Sequence, residues 1–230
     1  MDFKIIDKIK GESSKQYTYR ILKDSIMNLS LKPGEALSEI EISQALNVSR
    51  TPVREAIVKL KEEKLINVFP QKGSLVSKMN LNLIEEAVFL REICDKEMLK
   101  MVCSRKNNDS LIKELRKNLE YQKIIVEFEE DIYEFFRLDN KFHEIIYEFC
   151  NKLNIWKAVK RLSTHYDRLR LFDVIEKKNL RDILIQHEKI IDILEKNSFE
   201  SIDDIVTKHL FNFKEMLGIF IEKCPNYFEK

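Results

Sequence analysis

The chain has 230 residues and carries 40 lysines and arginines against 39 acidic residues, which gives a formal net charge of +1. This length allows one large domain or two modest domains, and the balanced charge excludes nucleic-acid binding through a global positive field. Residues 1–79, however, hold 14 basic and 10 acidic residues, so a local basic patch is expected there.

The first predicted unit is a helix-turn-helix followed by a small β-hairpin, over residues 37–76. Its first helix covers residues 39–46, where apolar side chains recur at helical spacing and predict one buried face. These side chains are Ile42, Ala45 and Leu46. Asn47 and Val48 end this helix, and Ser49 or Thr51 is suited to cap the next one.

The second helix divides into an apolar stripe and a basic face, as a helix that reads DNA requires. The predicted buried stripe consists of Val53, Ala56, Ile57 and Leu60. The other face carries Arg50, Arg54 and Lys61. Arginine suits this position because its guanidinium can bond two acceptors of guanine or clamp a phosphate, and Ser49 and Thr51 add short hydroxyl contacts beside it.

Two short runs with strand composition follow, at residues 65–69 and 74–76. The sequence Pro-Gln-Lys-Gly of residues 70–73 lies between them and predicts a turn. Lys72 at the tip of this hairpin is within reach of a phosphate or the minor groove. The whole unit therefore has the plan of a winged helix that binds double-stranded DNA.

This segment resembles the DNA-binding domain of the GntR family of bacterial transcription regulators, over roughly residues 16–78. The resemblance rests on the runs LKPGEALSE at 31–39 and NVSRTPVREA at 47–56. The residues to which it assigns DNA contacts are Ser49, Arg50, Thr51, Arg54 and the wing glycine Gly73. Where some members carry an arginine in the preceding helix, this chain has Ile40, so the operator sequence does not transfer.

Residues 74–217 contain neither proline nor glycine. A stretch of that length, rich in Leu, Ile, Glu and Lys, predicts an antiparallel helical bundle rather than a β fold with tight turns. We therefore expect a mainly α protein, with a winged helix-turn-helix at residues 1–79 and an all-α domain at residues 80–230. The predicted helices of the bundle run near 82–104, 109–126, 128–151, 153–174, 179–197 and 201–223.

The chain shows no signal-peptide core and no run approaching the roughly 20 apolar residues of a membrane helix, so we expect a cytoplasmic protein without membrane contact. Its cysteines are too scattered for a zinc knuckle or a disulfide framework, and we expect them to be reduced. They are Cys94, Cys103, Cys150 and Cys224.

Three of the four histidines interrupt apolar stripes of the bundle. His187 and His209 each lie in the middle of such a stripe, and Asp139 and His143 stand four residues apart on an earlier helix. This spacing places the carboxylate and the imidazole on one side of a helix, where both can reach one metal ion. One carboxylate and three imidazoles suit Zn²⁺, Ni²⁺ or another borderline first-row ion, whereas Mg²⁺ and Ca²⁺ prefer oxygen.

The alternative is that each of these residues is a core histidine bonded to a neighbour, as buried polar groups commonly are. His165 differs from the other three because it lies in the polar run STHYD of residues 163–167. We expect its side chain to be exposed or to lie beside the site rather than in it.

The bundle also resembles the all-helical ligand-binding FCD domain of the FadR-type GntR regulators, over about residues 80–225. The resemblance rests on Asp139-x-x-x-His143, on Gln186-His187-Glu188 and on Lys208-His209-Leu210. It implies that the ion is held by Asp139, His143, His187 and His209. It further implies that a small carboxylate effector completes the coordination of the ion.

The same resemblance matches Arg91 to an arginine that often helps to bind the carboxylate of the effector. A surface or salt-bridged arginine is an equal alternative at this position. Arg168 and Arg170 are weaker candidates for the same role.

These patterns predict a transcription regulator rather than an enzyme, acting as a repressor or an activator. A homodimer would bind a pseudo-palindromic operator, and the effector would change the separation of its two recognition helices. Two alternatives stay open. In the first the ion itself is the signal, and in the second the open metal activates water for hydrolysis with Glu144 or Glu188 as the base.

Overall fold

The computed structural model describes residues 5–71, 73–128, 131–177, 180–211 and 214–229. They form a mainly α protein with one small antiparallel sheet, as predicted. The chain divides into two compact units. The first contains Met1–Ile84, Thr164–Leu169 and Gly218–Lys230, and the second contains Glu85–Ser163 and Arg170–Leu217. A domain boundary at residues 79 and 80 stays a prediction.

Helix α1 (Ser14–Met27) opens the first unit and has no counterpart among the predicted elements. Ser13 and Gln16 start it with a reciprocal capping box: the Gln16 N–H donates to the Ser13 hydroxyl, and the Ser13 N–H donates to the Gln16 side chain. Two N–H groups of the helix end are satisfied in this way. Helices α2 (Glu39–Ala45) and α3 (Arg50–Glu62) follow and confirm the predicted helix-turn-helix.

Three short antiparallel strands complete this unit in the order β1-β3-β2. They are β1 (Ala36–Leu37), β2 (Ile66–Phe69) and β3 (Gly73–Val76). The predicted hairpin is therefore confirmed, and β1, which is too short to give a sequence pattern, adds to its edge. Phe69 pairs with Gly73 across the turn, where Gly73 has a φ of 98°, a conformation that glycine adopts without strain.

The core of the first unit is built from the apolar faces of α1, α2, α3 and the sheet. The predicted stripe of α3 is buried along its whole length. On α2, Ile42 and Leu46 are buried as predicted, but Ala45 is exposed, so that part of the prediction is wrong. Ser43 takes the buried place beside Ile42, because its hydroxyl donates to the carbonyl of Ile40 at 2.8 Å and needs no water.

In the described residues eight further α-helices follow the sheet, and three of them, α4, α8 and α11, contribute residues to both units. They are α4 (Leu81–Cys103), α5 (Asp109–Glu127), α6 (Ile132–Phe149), α7 (Leu153–Leu162), α8 (Thr164–Lys177), α9 (Leu180–Lys196), α10 (Ile202–Phe211) and α11 (Lys214–Lys223). In the second unit α5 packs against α6 and α9, around a core that includes Ile125, Phe135 and Leu138. No helix in the described ranges has both the length and the hydropathy that a membrane crossing requires.

The prediction of one helix over residues 153–174 is wrong, because the helix is interrupted at Ser163. Both the N–H and the hydroxyl of Ser163 donate to the carbonyl of Val159, at 3.0 and 2.8 Å. A serine that bonds back to its own helix in this way competes with continuation of the helix. Helix α7 therefore ends at Leu162, and α8 begins at Thr164.

His165 is buried in the first unit, so the expectation of an exposed side chain is wrong. The N–H of Asn80 and the guanidinium of Arg168 both donate to its Nδ1, each at 3.1 Å. Its Nε2 donates to the carbonyl of Lys64 at 2.9 Å. Burial, followed by the positive charge of Arg168, lowers the pKa of His165 to about 4.

This lowered pKa predicts that protonation of His165 destabilises the fold. In the unfolded chain the His165 side chain titrates near pH 6.5. The contribution of neutral His165 to the free energy of unfolding is therefore complete above about pH 6.5 and is lost as the pH falls toward 4. Between pH 7 and pH 5 the wild-type free energy of unfolding is expected to fall by about 2 kcal/mol more than that of His165→Gln. Urea unfolding followed by circular dichroism measures both values, and equal losses in the two proteins would contradict the prediction.

Candidate metal centre and nucleic-acid interface

The second unit brings the four predicted metal ligands together. One ligand atom from each of Asp139, His143, His187 and His209 lies within 4.8 Å of all the others. The first three side chains are buried, and His209 is partly buried. Helix α6 supplies Asp139 and His143 one turn apart, α9 supplies His187 and α10 supplies His209. Three helices therefore converge on one point.

The imidazole of His187 is fixed in both position and tautomer. Its Nδ1 donates to Oε1 of Gln122 at 2.9 Å, and its ring stacks on Phe142 with the centroids 4.0 Å apart. The Gln122 amide is itself oriented, because its nitrogen donates to Oδ1 of Asn118 at 2.6 Å. With its proton on Nδ1, a neutral imidazole has a bare lone pair on Nε2.

This lone pair faces a second acceptor. Nε2 of His187 and Oδ1 of Asp139 lie 3.5 Å apart, and both are buried atoms without a hydrogen-bond partner among the described residues. Burial lowers the pKa of His187 to about 4. Burial acts to raise the pKa of Asp139, but the charge of Arg170 and the other basic groups nearby outweigh it and hold that pKa below its usual range. Two unprotonated acceptors facing each other in a buried place fit a cation between them.

The other two imidazoles complete the set. Nε2 of His143 and Nε2 of His209 lie 3.0 Å apart, and Nδ1 of His209 donates to Oε1 of Gln186 at 2.8 Å. Burial is the main cause that holds the pKa of both histidines well below its usual value, with Arg91 next for His143 and His187 next for His209. Neutral imidazoles are the form that binds metal, so the donor set fits a borderline first-row ion.

Two guanidinium groups belong to this neighbourhood. Arg170 pairs with Oδ2 of Asp139, which leaves Oδ1 on the side of His187. Arg91 is buried, and its Nε donates to Oδ2 of Asp95 at 3.1 Å. Its Nη2 is buried, and within the described ranges it has no hydrogen-bond partner. Arg91 is therefore a salt-bridged arginine that still offers one donor.

Sequence reasoning missed Gln122 and Asp95, and it named Gln186 in the motif beside His187 without giving it the role of orienting an imidazole. A signal was present, since Gln122 stands three residues from both Leu119 and Ile125 on a buried face. The two acids considered as a hydrolytic base, Glu144 and Glu188, form partly exposed ion pairs instead. Their partners are Lys141 at 3.1 Å and Lys123 at 3.6 Å.

In the first unit the residues predicted to contact DNA are exposed at the start of α3 and at the wing. They are Ser49, Arg50, Thr51, Arg54 and Gly73, while Lys72 lies outside the described residues. Ser49 occupies the N-cap position, but its side chain makes no capping hydrogen bond. Nε of Arg54 donates to Oε2 of Glu39 at 2.7 Å, so the guanidinium is held from one side. Ile40 is 47% exposed and offers no polar contact.

This fold defines a winged-helix protein with a second, all-helical domain. Residues 15–76 match the bacterial regulatory proteins of the gntR family, and residues 86–212 match the FCD domain. The chain therefore belongs to the GntR family, and it is a DNA-binding transcription regulator with an FCD domain.

Individual relatives agree with this assignment. The chain is 31% identical to the HTH-type transcriptional repressor RspR of Escherichia coli K12 over 217 residues, which cover 94% of this chain and 93% of that protein. It is 28% identical to the gluconate operon transcriptional repressor of Bacillus licheniformis, with 81% of each chain covered.

Two solved structures have the same fold. A putative GntR regulator from Rhodococcus sp. RHA1 superposes with a TM-score of 0.73 at 22% identity, covering 90% of this chain and 99% of that chain. Escherichia coli McbR/YncC superposes with a TM-score of 0.72 at 19% identity, covering 92% and 99%. At these identities the likeness establishes the fold alone.

Proposed function

We propose that this regulator holds a divalent first-row ion, Zn²⁺ or Ni²⁺, and that a small carboxylate bound at this centre changes its affinity for a DNA operator. The ligands are Asp139, His143, His187 and His209. The observation that carries the proposal is the pair of buried acceptors on Asp139 and His187, which lie 3.5 Å apart and accept no hydrogen bond from the part of the chain that the structure describes. A bound ion supplies a fixed positive charge that attracts an anion.

The charges around the centre favour an anionic effector. The carboxylates of Asp139 and Asp95 are each paired with a guanidinium, from Arg170 and Arg91 respectively. These four charges cancel, so the two positive charges of a divalent ion have no counter-charge among them. Buried charge without compensation is unfavourable, and an anion bound at the centre supplies the compensation. We assign Nη2 of Arg91, which has no partner among the described residues, as the donor to the carboxylate of the effector.

A small cavity beside the cluster limits the size of that anion. Its volume is about 10 Å³, and His143, His209, Asp95 and Tyr147 form its polar lining. This is space for about one water molecule. The proposed effector is therefore a small acid, and because any carboxylate is larger than one water molecule, its entry must move the surrounding side chains.

On the DNA side we assign base and phosphate contacts to Ser49, Arg50, Thr51 and Arg54 at the start of α3 and to Gly73 at the wing. Lys72 is assigned the same role from its place in the sequence beside Gly73. A homodimer would place two copies of α3 on a pseudo-palindromic operator in the cytoplasm. The effector would act by changing the affinity of this dimer for the operator, which is a coupling between two ligands of one protein.

Replacing Arg54 by Ala is expected to weaken operator binding by about 10- to 100-fold, because one guanidinium contact to a base or phosphate is lost. A fragment selected from genomic DNA by the wild-type protein serves as the operator, and fluorescence anisotropy gives the Kd. Arg137→Ala is the matched control, since both arginines are about equally exposed and each is paired with one glutamate. Equal affinity of the Arg54 variant and the wild type would remove Arg54 from the interface.

Replacing His187 by Ala is expected to lower Zn²⁺ affinity by more than about 100-fold, because a ligand is lost together with its oriented lone pair. Competition with a chromophoric chelator measures the affinity, and mass spectrometry of the purified protein measures the metal content. His165→Gln removes a buried histidine outside the cluster and should bind Zn²⁺ as the wild type does. Unchanged metal binding by the His187 variant would contradict the site.

The alternatives are separated by the operator affinity of metal-free protein, zinc-loaded protein and zinc-loaded protein with candidate carboxylates. Our proposal requires the carboxylate to shift the affinity of the loaded protein. A shift caused by Zn²⁺ alone, with no response to any carboxylate, would make the protein a metal sensor. Metal-dependent hydrolysis without a DNA response would make it an enzyme.

A further inference from the structure

Asp95 on helix α4 is a buried carboxylate with an unusual number of partners. The hydroxyl of Tyr147 donates to its Oδ1 at 2.6 Å, and Nε of Arg91 donates to its Oδ2 at 3.1 Å. Nδ1 of His143 lies 3.8 Å from the same Oδ2. Nothing in the sequence patterns or in the family resemblance assigned a role to this residue.

The position of the proton on His143 gives Asp95 a role. The Nε2 of His143 faces Nε2 of His209 across 3.0 Å, in the middle of the cluster. A neutral imidazole that gives its Nε2 lone pair to a cation carries its single proton on Nδ1. On that side of His143, Oδ2 of Asp95 lies 3.8 Å from Nδ1, which is within ion-pair distance and longer than a hydrogen bond, so a small movement of the ring would bring the two atoms into a hydrogen bond.

The other imidazoles follow the same arrangement with different acceptors. Nδ1 of His187 donates to Gln122, and Nδ1 of His209 donates to Gln186. Each of the three proposed histidine ligands therefore has a side-chain oxygen near its Nδ1, the ring nitrogen that does not face the ion. Of the three, the oxygen near His143 belongs to a carboxylate. A carboxylate in this place fixes the ring and makes the imidazole a stronger donor to a metal ion.

We propose that Asp95 is a positioning residue for the metal centre. Its carboxylate accepts a hydrogen bond from the Nδ1–H of His143 and so holds Nε2 of His143 toward the ion. This inference rests on the proposed metal site. Arg91 and Tyr147 fix the carboxylate, so Asp95 also ties the arginine assigned to the effector to one of the metal ligands. Metal binding and anion binding are linked through this one buried side chain.

The substitution Asp95→Asn tests the proposal, because it keeps the shape of the side chain and removes its charge. It is expected to weaken Zn²⁺ binding by about 10- to 100-fold in the full chain, as loss of an outer carboxylate does in other metal sites. Tyr147→Phe, which removes only the hydroxyl that orients Asp95, is expected to weaken binding to a smaller extent and keeps the test available if the first variant does not fold. Glu97→Gln is the control, since Glu97 lies on the same helix with an exposed side chain.

A second measurement separates positioning from a general effect on folding. In ¹⁵N spectra of the zinc-loaded protein, the Nδ1 resonance of His143 is expected to show a hydrogen bond to the carboxylate in the wild type and a weaker one in Asp95→Asn, while His187 and His209 keep their signals. Wild-type Zn²⁺ affinity and an unchanged His143 signal in the variant would overturn the role of Asp95 and leave the metal site intact. A wild-type chain that binds no Zn²⁺ would overturn both the site and this inference.

Discussion

Two lone pairs, on Oδ1 of Asp139 and on Nε2 of His187, face each other inside the helical domain, and no donor from the described residues reaches either atom. An unsatisfied buried acceptor is unfavourable by roughly 1–3 kcal/mol, so this pair destabilises the folded chain unless a ligand satisfies it. Hydrogen bonds with neighbouring side chains keep both lone pairs in this position. Gln122 keeps the proton of His187 on the far nitrogen, and Arg170 engages the other oxygen of Asp139. The cation that we propose would lie between the two atoms and satisfy both.

The four residues of the cluster lie on three different helices. The ligands come from α6, α9 and α10, so an ion bound by all four side chains would connect three helices of the domain. Because the imidazoles are kept neutral by burial, binding needs no proton to be removed from them at neutral pH. An effector that changes the coordination would therefore act directly on the packing of these helices. This is a physical route by which a small acid can influence a DNA-binding protein.

Much of this architecture could be predicted from sequence. The apolar stripe of α3, with Val53 and Leu60, and the absence of proline and glycine from residues 74–217 were sufficient for the two kinds of domain. The four cluster residues could be found because each interrupts an apolar face. What periodicity does not give is the partner of a buried group across helices. The expectation for His165 was therefore wrong, since its burial depends on Lys64 and Asn80, which are far away in sequence.

The most direct test of the account is a crystal structure of the zinc-loaded protein, with anomalous diffraction measured on both sides of the zinc absorption edge. We expect one strong anomalous peak per chain, about 2.0–2.2 Å from Oδ1 of Asp139 and from Nε2 of His143, His187 and His209. Density at that peak for a bound anion would identify the effector class at the same time. A zinc peak at any other position, or these four atoms in direct contact with other protein groups and no peak between them, would contradict the central claim.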